Sequence, residues 1–509
     1  MRLLAFYLGW HDSNLCMYDA DTGFFKYVKS ERALAIKRHQ ATLGFVKEYC
    51  DAASFVPDRI IFSDGNRNGL GQCPQGCAFA QLSTPPSSLF DCAQWYNVDH
   101  HLAHVMSAWP LVESERIDFG IAIDGRGDHE ARASVFKSPA QFVSPIFSST
   151  GFRICHLLDR IGHEMQLQGD KADFAGKVMG AQAYGNADEA FADREIARDV
   201  YKDLISLAQL DAWQGQPLSP DFFRFENSLF RDWLATVHLL MGKIVIRFFE
   251  TYCSGADTIV YAGGCALNTV INCELAKRFS NLTIPPHCYD GGLSLGCLEV
   301  LRIISRCPPL KLPNFPFIQS DEDIGYASPR TVLEAAQQLA EGKIVGWIQG
   351  NGEIGPRALG HRSLLLHPGL VHGKELLNSK VKKREVWRPY GPSVLHRCQN
   401  EYFPNTGYLP FMLHTVQCPP QTETAMPSVV HVDKSSRIQS VSSHRCPALN
   451  TYEDLLERFE GLTGIPAVLN TSYNAGGDPI VATRSEALKF FRNSEIDCLV
   501  LGDEIIRKA

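Results

Sequence analysis

The sequence predicts an α/β fold in two domains, the first a duplicated body, and three observations carry that prediction. The 509 residues are more than one ordinary hydrophobic core accommodates, and 45% hydrophobic with 21% charged residues is a globular composition. A strand–turn–strand unit with His or Asp and Gly at its first turn occurs near the N-terminus and again after residue 118. After a stretch rich in proline and acidic residues, a fresh helix–strand pattern begins near residue 329.

The elements follow in chain order. Residues 3–8, 14–18 and 24–28 read as three short strands, joined first by a Gly-Trp-His-Asp-Ser turn and then by an Asp-Ala-Asp-Thr-Gly hairpin. The second unit is an apolar strand at 119–123, a turn at Asp124-Gly125-Arg126-Gly127-Asp128 and a returning strand at 131–136. Mixed polar and apolar spacing over 186–252 predicts mostly helix. A strand at 258–261 leads through Gly263 and Gly264 into a helix at 269–279, a glycine-bearing junction at which backbone N–H groups can approach an anion. Residues 307–328 read as a linker, followed by a helix at 329–341 and a strand at 344–348. The predicted domains are 1–310 and 329–509, with 311–328 between them.

Two clusters carry chemistry. His100 and His104 lie four apart at the start of a predicted helix and project from one face, a spacing that grips one metal ion. Asp124 and Asp290, at strand or loop ends beside glycines, are the best candidates for the remaining ligands, and such a mixed set suits iron(II), manganese or zinc. The second cluster is basic: from Arg357 to Arg397 there are nine Lys or Arg against Glu375 and Glu385, a local net of +7 in a chain of net charge −7. Arginines and lysines held by turns fix phosphate oxygens, Arg doing so through two bonds at once. Asn470, Thr471 and Ser472, after a predicted strand, offer donors and acceptors for a planar urea-like or phosphate group.

The acidic total disfavours general nucleic-acid binding. The apolar run at 3–8 is too short for a signal core or a bilayer span, so no membrane association is expected. The 16 cysteines are scattered, several within apolar runs, which favours a reducing, cytoplasmic setting. Cys73 and Cys77 could form half of a metal site, but no second pair of that kind completes it.

These residues resemble the carbamoyltransferase family that includes the nodulation-factor, cephem and tobramycin carbamoyltransferases. The resemblance covers nearly the whole chain: HDS at 11–13, HHLAH at 100–104, AGKVMGAQAYG at 175–185, GGCALN at 263–268, YDGGLSLG at 289–296, GEIGPRALGHRSLL at 352–365, KKREVWRPYGPS at 382–393 and LNTSYN at 469–474. It implies a duplicated actin-like (ASKHA-type) N-terminal domain and a YrdC-like α/β C-terminal domain. It also implies an ATP-dependent reaction in which carbamoyl phosphate is split to phosphate and carbamate, and carbamate attacks the α-phosphate of ATP to form carbamoyl adenylate. The carbamoyl group then passes to a hydroxyl of a small-molecule acceptor, such as a natural product, sugar or nucleoside.

In the residue roles that the resemblance implies, Lys382, Arg388, Asn470 and Ser472 hold carbamoyl phosphate, and Arg357 assists with the nucleotide. Lys177, Gly180, Gly264 and Asn268 surround the adenylate, with Mg²⁺ as the companion of ATP. His100, His104, Asp124 and Asp290 hold a divalent metal, iron(II) first, and His11 stands near the acceptor hydroxyl as its candidate base. Ala183 stands where the family more often has proline, and the opening turn reads Gly-Trp-His-Asp-Ser rather than the more familiar His-Asp-Ala setting. The alternatives are a threonylcarbamoyl-type tRNA-modifying enzyme, which the overall acidity disfavours, and a non-catalytic nucleotide-binding sensor, which would need only one of the two clusters.

Overall fold

Three antiparallel strands, Arg2–Tyr7, Asn14–Asp19 and Phe25–Lys29, open the computed structural model, which describes residues 1–64, 70–90, 94–196, 212–213, 216–217, 219–319 and 322–508. Arg59–Ser63 then pairs parallel to the first strand and Gln94–Val98 parallel to Arg59–Ser63, with Phe79–Gln81 antiparallel at the edge. The chain then repeats this path. Phe119–Ile123, Ala133–Lys137 and Phe147–Ser149 run antiparallel, Ile259–Ala262 adds parallel to Phe119–Ile123, and Leu282–Thr283 adds parallel beyond it. This repeated topology is the duplication that the two hairpins predict, and it gives the N-terminal body an actin-like architecture.

The side-chain alternation of the first strand explains the layering. Leu4 and Phe6 face one core with Leu15, Met17, Val28 and helix Leu43–Ala52. Leu3 and Ala5 face another, shared with helices His100–Met106 and Leu293–Ile304 and with Ala122 and Val260 of the second sheet. A third core packs Ile121 and Ile123 against the 26-residue helix Ser228–Cys253. The helical reading of 186–252 is seen in Glu189–Ile196 and Ser228–Cys253, while residues 197–211 lie outside the described residues.

The C-terminal part is one mixed seven-stranded sheet in the order Gln439–Val441, Gly391–Leu395, Ala467–Ser472, Arg362–Leu366, Val345–Ile348, Cys498–Leu501, Glu504–Arg507. Helices Pro329–Ala340 and Asn450–Thr463 cover one face through Val332, Ala335 and Leu339 against Leu455, Leu456 and Phe459. Helix Pro329–Ala340 starts where its local sequence says it should: Ser328 caps the Thr331 N–H, and Pro329 stands at the first helical position, where no backbone donor is needed.

Candidate metal centre and anion site

The first cluster gathers at the carboxyl ends of parallel strands, where the two halves of the N-terminal body meet. His100 and His104 occupy one face of helix His100–Met106, which follows strand Gln94–Val98, and Asp99 caps it by accepting from the Leu102 N–H. Asp124 follows strand Phe119–Ile123, and Asp290 lies in the single turn before helix Leu293–Ile304. That helix crosses His100–Met106 so closely that a Cβ on Gly296 would sit 1.8 Å from the Ala103 carbonyl oxygen. Only glycine permits this approach, and the approach carries Asp290 to the histidines.

The resulting geometry is compact. His100 Nε2 lies 3.6 Å from Asp124 Oδ2 and 3.6 Å from Asp290 Oδ1, and His104 Nε2 lies 3.9 Å from Asp124 Oδ1 and 3.4 Å from Asp290 Oδ1. One ligand atom from each of the four buried residues falls within 4.8 Å of all the others. Among the described residues no hydrogen-bond partner reaches either ring nitrogen of His100 or His104, although all four nitrogens are buried. Burial opposes charge on His100, but Asp124 and Asp290 outweigh it and raise its pKa well above the ordinary value. Burial and mutual repulsion oppose ionisation of the two aspartates, and the imidazoles nevertheless hold both below the usual carboxylate range. Orphaned imidazole nitrogens facing two buried carboxylates are what a divalent cation satisfies, so the donor set fits a metal.

Neighbours orient the ligands. The Tyr7 hydroxyl donates to Asp290 Oδ2 at 2.6 Å, and the Gly264 N–H donates to Asp124 Oδ1 at 2.6 Å. Gly263 makes the second contact possible: at φ 91° it lies so near Ile123 that a Cβ would fall 2.3 Å from the Ile123 carbonyl oxygen. Asn14 donates to the Asp290 carbonyl at 2.9 Å and accepts from the Ser294 N–H at 2.9 Å, stitching the first strands to the Asp290 turn. His11 Nδ1 is 2.8 Å from Asp12 Oδ2 and 3.8 Å from Asp290 Oδ2. Asp12 also meets Lys29 Nζ at 2.7 Å and Arg38 Nη1 at 3.6 Å.

The basic run divides once folded. Arg362 donates to the carbonyls of Gln349, Gly350 and Ala482, Lys374 donates to Val430 O, and Arg397 pairs with Glu460. Arg357, Lys382, Arg384 and Arg388 instead converge, joined by Arg437 from strand Ser435–Arg437. Burial and the neighbouring Arg388 push Arg357 and Arg384 down to about 10. Burial pushes Arg437 and Lys382 well below their ordinary values, helped for Arg437 by Arg357, Arg384 and Arg388, and for Lys382 by Arg384, Arg388 and Lys37. Lys382 Nζ donates to Ser472 Oγ at 3.2 Å and to Asn474 Oδ1 at 2.9 Å. Such mutual depression is relieved when an anion binds, which makes the cluster a candidate anion site.

The remaining expected residues fall in three places. Asn470 lies two positions from Ser472 in strand Ala467–Ser472, and its amide donates to Ala358 O at 3.1 Å and to Ser393 Oγ at 2.9 Å, tying the Arg357 loop to the strand. Gly264 sits beside Asp124, while Asn268 caps helix Thr269–Ala276 and meets His238 Nε2 at 3.0 Å. Lys177 and Gly180, on helix Phe174–Ala181, contact the 385–389 segment rather than the 263–268 loop: Lys177 Nζ is 2.7 Å from Glu385 Oε1, and a Cβ on Gly180 would sit 3.3 Å from Pro389 Cδ. Sequence reasoning missed Tyr7, Asn14 and Arg437. Tyr7 and Asn14 read as ordinary strand residues, and Arg437 stands 40 positions past the basic run's last turn motif residue, Arg397, in a polar stretch without signal.

The chain matches Carbamoyltransferase N-terminus over residues 89–298 and Carbamoyltransferase C-terminus over residues 336–508. It is 30% identical over 449 residues to Nodulation protein NolO of Bradyrhizobium diazoefficiens, spanning 81% of this chain and 79% of that one. To Nodulation protein NolNO of Sinorhizobium fredii it is 29% identical over 451 residues, spanning 81% of this chain and 64% of the relative. Among solved structures, full-length HypF aligns over 59% of this chain and 55% of its own at 13% identity and a TM-score of 0.32, a likeness too distant to bear on chemistry. A duplicated α/β body with a buried His/Asp set is joined to a second sheet with a cluster of basic side chains. The chain belongs to the carbamoyltransferase family, and it is an enzyme of that class. Among the described residues no helix is long and apolar enough to cross a membrane.

Proposed function

We propose that the protein is an ATP-dependent O-carbamoyltransferase that forms carbamoyl adenylate at the cation cluster and passes the carbamoyl group to a hydroxyl of a small-molecule acceptor beside the His/Asp set. The convergence of Arg357, Lys382, Arg384, Arg388 and Arg437 carries this reading, because basic groups that depress one another are stabilised when a polyanionic substrate binds among them. Residues 1–310 then form the transfer domain and 329–509 the adenylate-forming domain.

Lys382, held by Ser472 and Asn474, and Arg388, part-exposed, bind the phosphate of carbamoyl phosphate. Asn470 keeps the Arg357 loop in place, and Arg357 and Arg437 take the phosphates of ATP, which enters with Mg²⁺. Water splits carbamoyl phosphate into phosphate and carbamate; a carbamate oxygen then attacks the α-phosphorus of ATP, and pyrophosphate leaves. The cations neutralise charge on the phosphates throughout. Carbamoyl adenylate hydrolyses readily, so a water-poor route from one site to the other preserves it.

On the acceptor side, Gly264 and Asn268 border the adenylate, while Gly180 lies against Pro389 on the cation-cluster side. His100, His104, Asp124 and Asp290 would hold a divalent metal, iron(II) by the family resemblance with manganese and zinc equally suited to the donors, and the metal would supply Lewis-acid polarisation of the carbamoyl carbonyl. His11 Nδ1 is engaged by Asp12, which orients the ring; burial opposes its charge but Asp12 and Asp290 raise its pKa to about 9, so Nε2 takes the proton of the acceptor hydroxyl only once His11 is neutral. The acceptor oxygen forms its bond to the carbamoyl carbon as AMP leaves. The described cysteines are free, in keeping with a cytoplasmic setting.

The test is to incubate the protein with ATP, Mg²⁺ and carbamoyl phosphate without acceptor and to measure pyrophosphate and AMP. Release that depends on carbamoyl phosphate and is lost in Lys382→Ala is the expected result. No release from intact wild-type protein, or full release from Lys382→Ala, overturns the assignment.

A further inference from the structure

One carboxylate, Glu385, faces the cation cluster, and its two oxygens do different things. Oε1 pairs with Lys177 Nζ at 2.7 Å, while Oε2 is 3.8 Å from Arg388 Nη1. Oε2 is buried and has no hydrogen-bond partner among the described residues, so it is free to tighten onto Arg388. Lys177 itself belongs to helix Phe174–Ala181 of the N-terminal body, where Nζ also donates to Gln168 O at 2.5 Å.

The helix is docked on this segment by its backbone as well. Trp387 Nε1 donates to Lys177 O at 3.2 Å, His431 Nε2 meets Gly180 O at 3.0 Å, and the Trp387 ring stacks on Phe225 at 4.4 Å. At its other end the helix begins just after Asp173, which Lys37 Nζ grips at 2.5 Å and Arg38 Nη2 at 2.7 Å. Arg38 also reaches Asp12, the partner of His11. Charged contacts at its two ends therefore tie this helix to the turn beside the His/Asp cluster and to the cation cluster.

We infer that Glu385 is a positioning residue: Lys177 holds one of its oxygens and the other aims Arg388, so Arg388 takes its phosphate-binding pose only while helix Phe174–Ala181 is docked on residues 385–389. Lys177 then acts on carbamoyl phosphate through Glu385 rather than by touching the nucleotide. This rests on the reading of the cation cluster as the carbamoyl phosphate site. A free Arg388 samples many rotamers, whereas a carboxylate shared with Lys177 restricts it to one and leaves its remaining N–H groups for the substrate.

The experiment measures acceptor-free pyrophosphate release by the full chain with Glu385→Gln, Lys177→Met, the double variant and Lys177→Arg, with melting curves to confirm folding. Losing a charge-assisted aim on Arg388 raises KM for carbamoyl phosphate about tenfold in each of the first two, with kcat and KM for ATP within about twofold. The double variant shows no further rise, because both changes break one unit. Lys177→Arg, which keeps the ion pair, returns KM to within about twofold of wild type. An unchanged KM in Glu385→Gln, a KM effect of Lys177→Met on ATP instead, or multiplying effects in the double variant would each overturn the inference. If a Glu385 or Lys177 single variant fails to fold, Glu385→Asp decides on the same KM criterion. Failure of the wild-type protein to release pyrophosphate strikes the proposed function itself, whereas wild-type turnover with an unchanged Glu385→Gln strikes this inference alone.

Discussion

Removing a single oxygen, by Tyr7→Phe, tests whether the His/Asp set is a metal centre shaped by its surroundings. The phenol donates to Asp290 Oδ2 at 2.6 Å, and burial together with the Asp290 charge raises its pKa well above 10, so it remains a donor. The substitution keeps the ring, its edge contact with His100 at 5.6 Å and its packing beneath Gly9, so nothing but the hydrogen bond is lost. A hydrogen bond to a charged group contributes about 1.5–3 kcal/mol, and part of that loss is shared by the metal-free state, where the carboxylate is equally deprived. What remains is the loss of orientation, for which outer contacts to metal ligands typically account for about 10- to 100-fold in affinity. Titrating metal-free protein with cobalt(II) or zinc against a coloured chelator should therefore show affinity weakened at least about tenfold, with the melting temperature of the metal-free form slightly lowered. Affinity unchanged in a folded variant would refute the premise that Tyr7 fixes Asp290 for a cation.

Other outcomes follow from the same geometry. His104→Ala should lose bound metal, read by elemental analysis, and carbamoyl transfer with it, while pyrophosphate release at the other site persists; unchanged metal content would remove His104 from the ligand set. A Cβ on Gly391 would sit 2.0 Å from the Arg437 carbonyl, so Gly391→Ala should push strand Ser435–Arg437 outward, destabilising the chain by about 1–3 kcal/mol in denaturant unfolding and weakening phosphate binding through a displaced Arg437. Lys382, pushed well below the ordinary lysine value by burial and by Arg384, Arg388 and Lys37, is the cation of the cluster that loses its charge first as pH rises. Calorimetric phosphate affinity should accordingly fall with rising pH before the usual lysine range is reached, and Lys382→Arg, which keeps its charge, should flatten that fall; a fall unchanged in Lys382→Arg would remove Lys382 as its source.

The pairing of His100 with His104 was legible because helical spacing places residues four apart on one face whatever surrounds the helix. Asp124 and Asp290 were legible as polar residues beside glycines at element ends, where a cleft forms in an α/β body. The duplicated topology was legible from two hairpins of like pattern, since strand alternation and turn chemistry are local properties. Strand bounds shifted by a residue or two, as at Arg2–Tyr7 against the expected 3–8, because the last ladder bond depends on the partner strand.

The basic run shows where local reading stops. Composition marked residues 357–397 as an anion region, yet Arg362 and Arg397 answer structural acceptors and Arg437, far along the chain, joins the cluster. The family resemblance implied Lys177 as a nucleotide contact, and the folded chain pairs it with Glu385. Sequence alone determined the fold class, the metal-ligand spacing and the family, all of which rest on short-range pattern and ordered motifs. Tertiary structure alone decided which cations share a field and which side chains hold them, because charges interact through space across a few ångströms, and that proximity is set by packing between residues hundreds of positions apart.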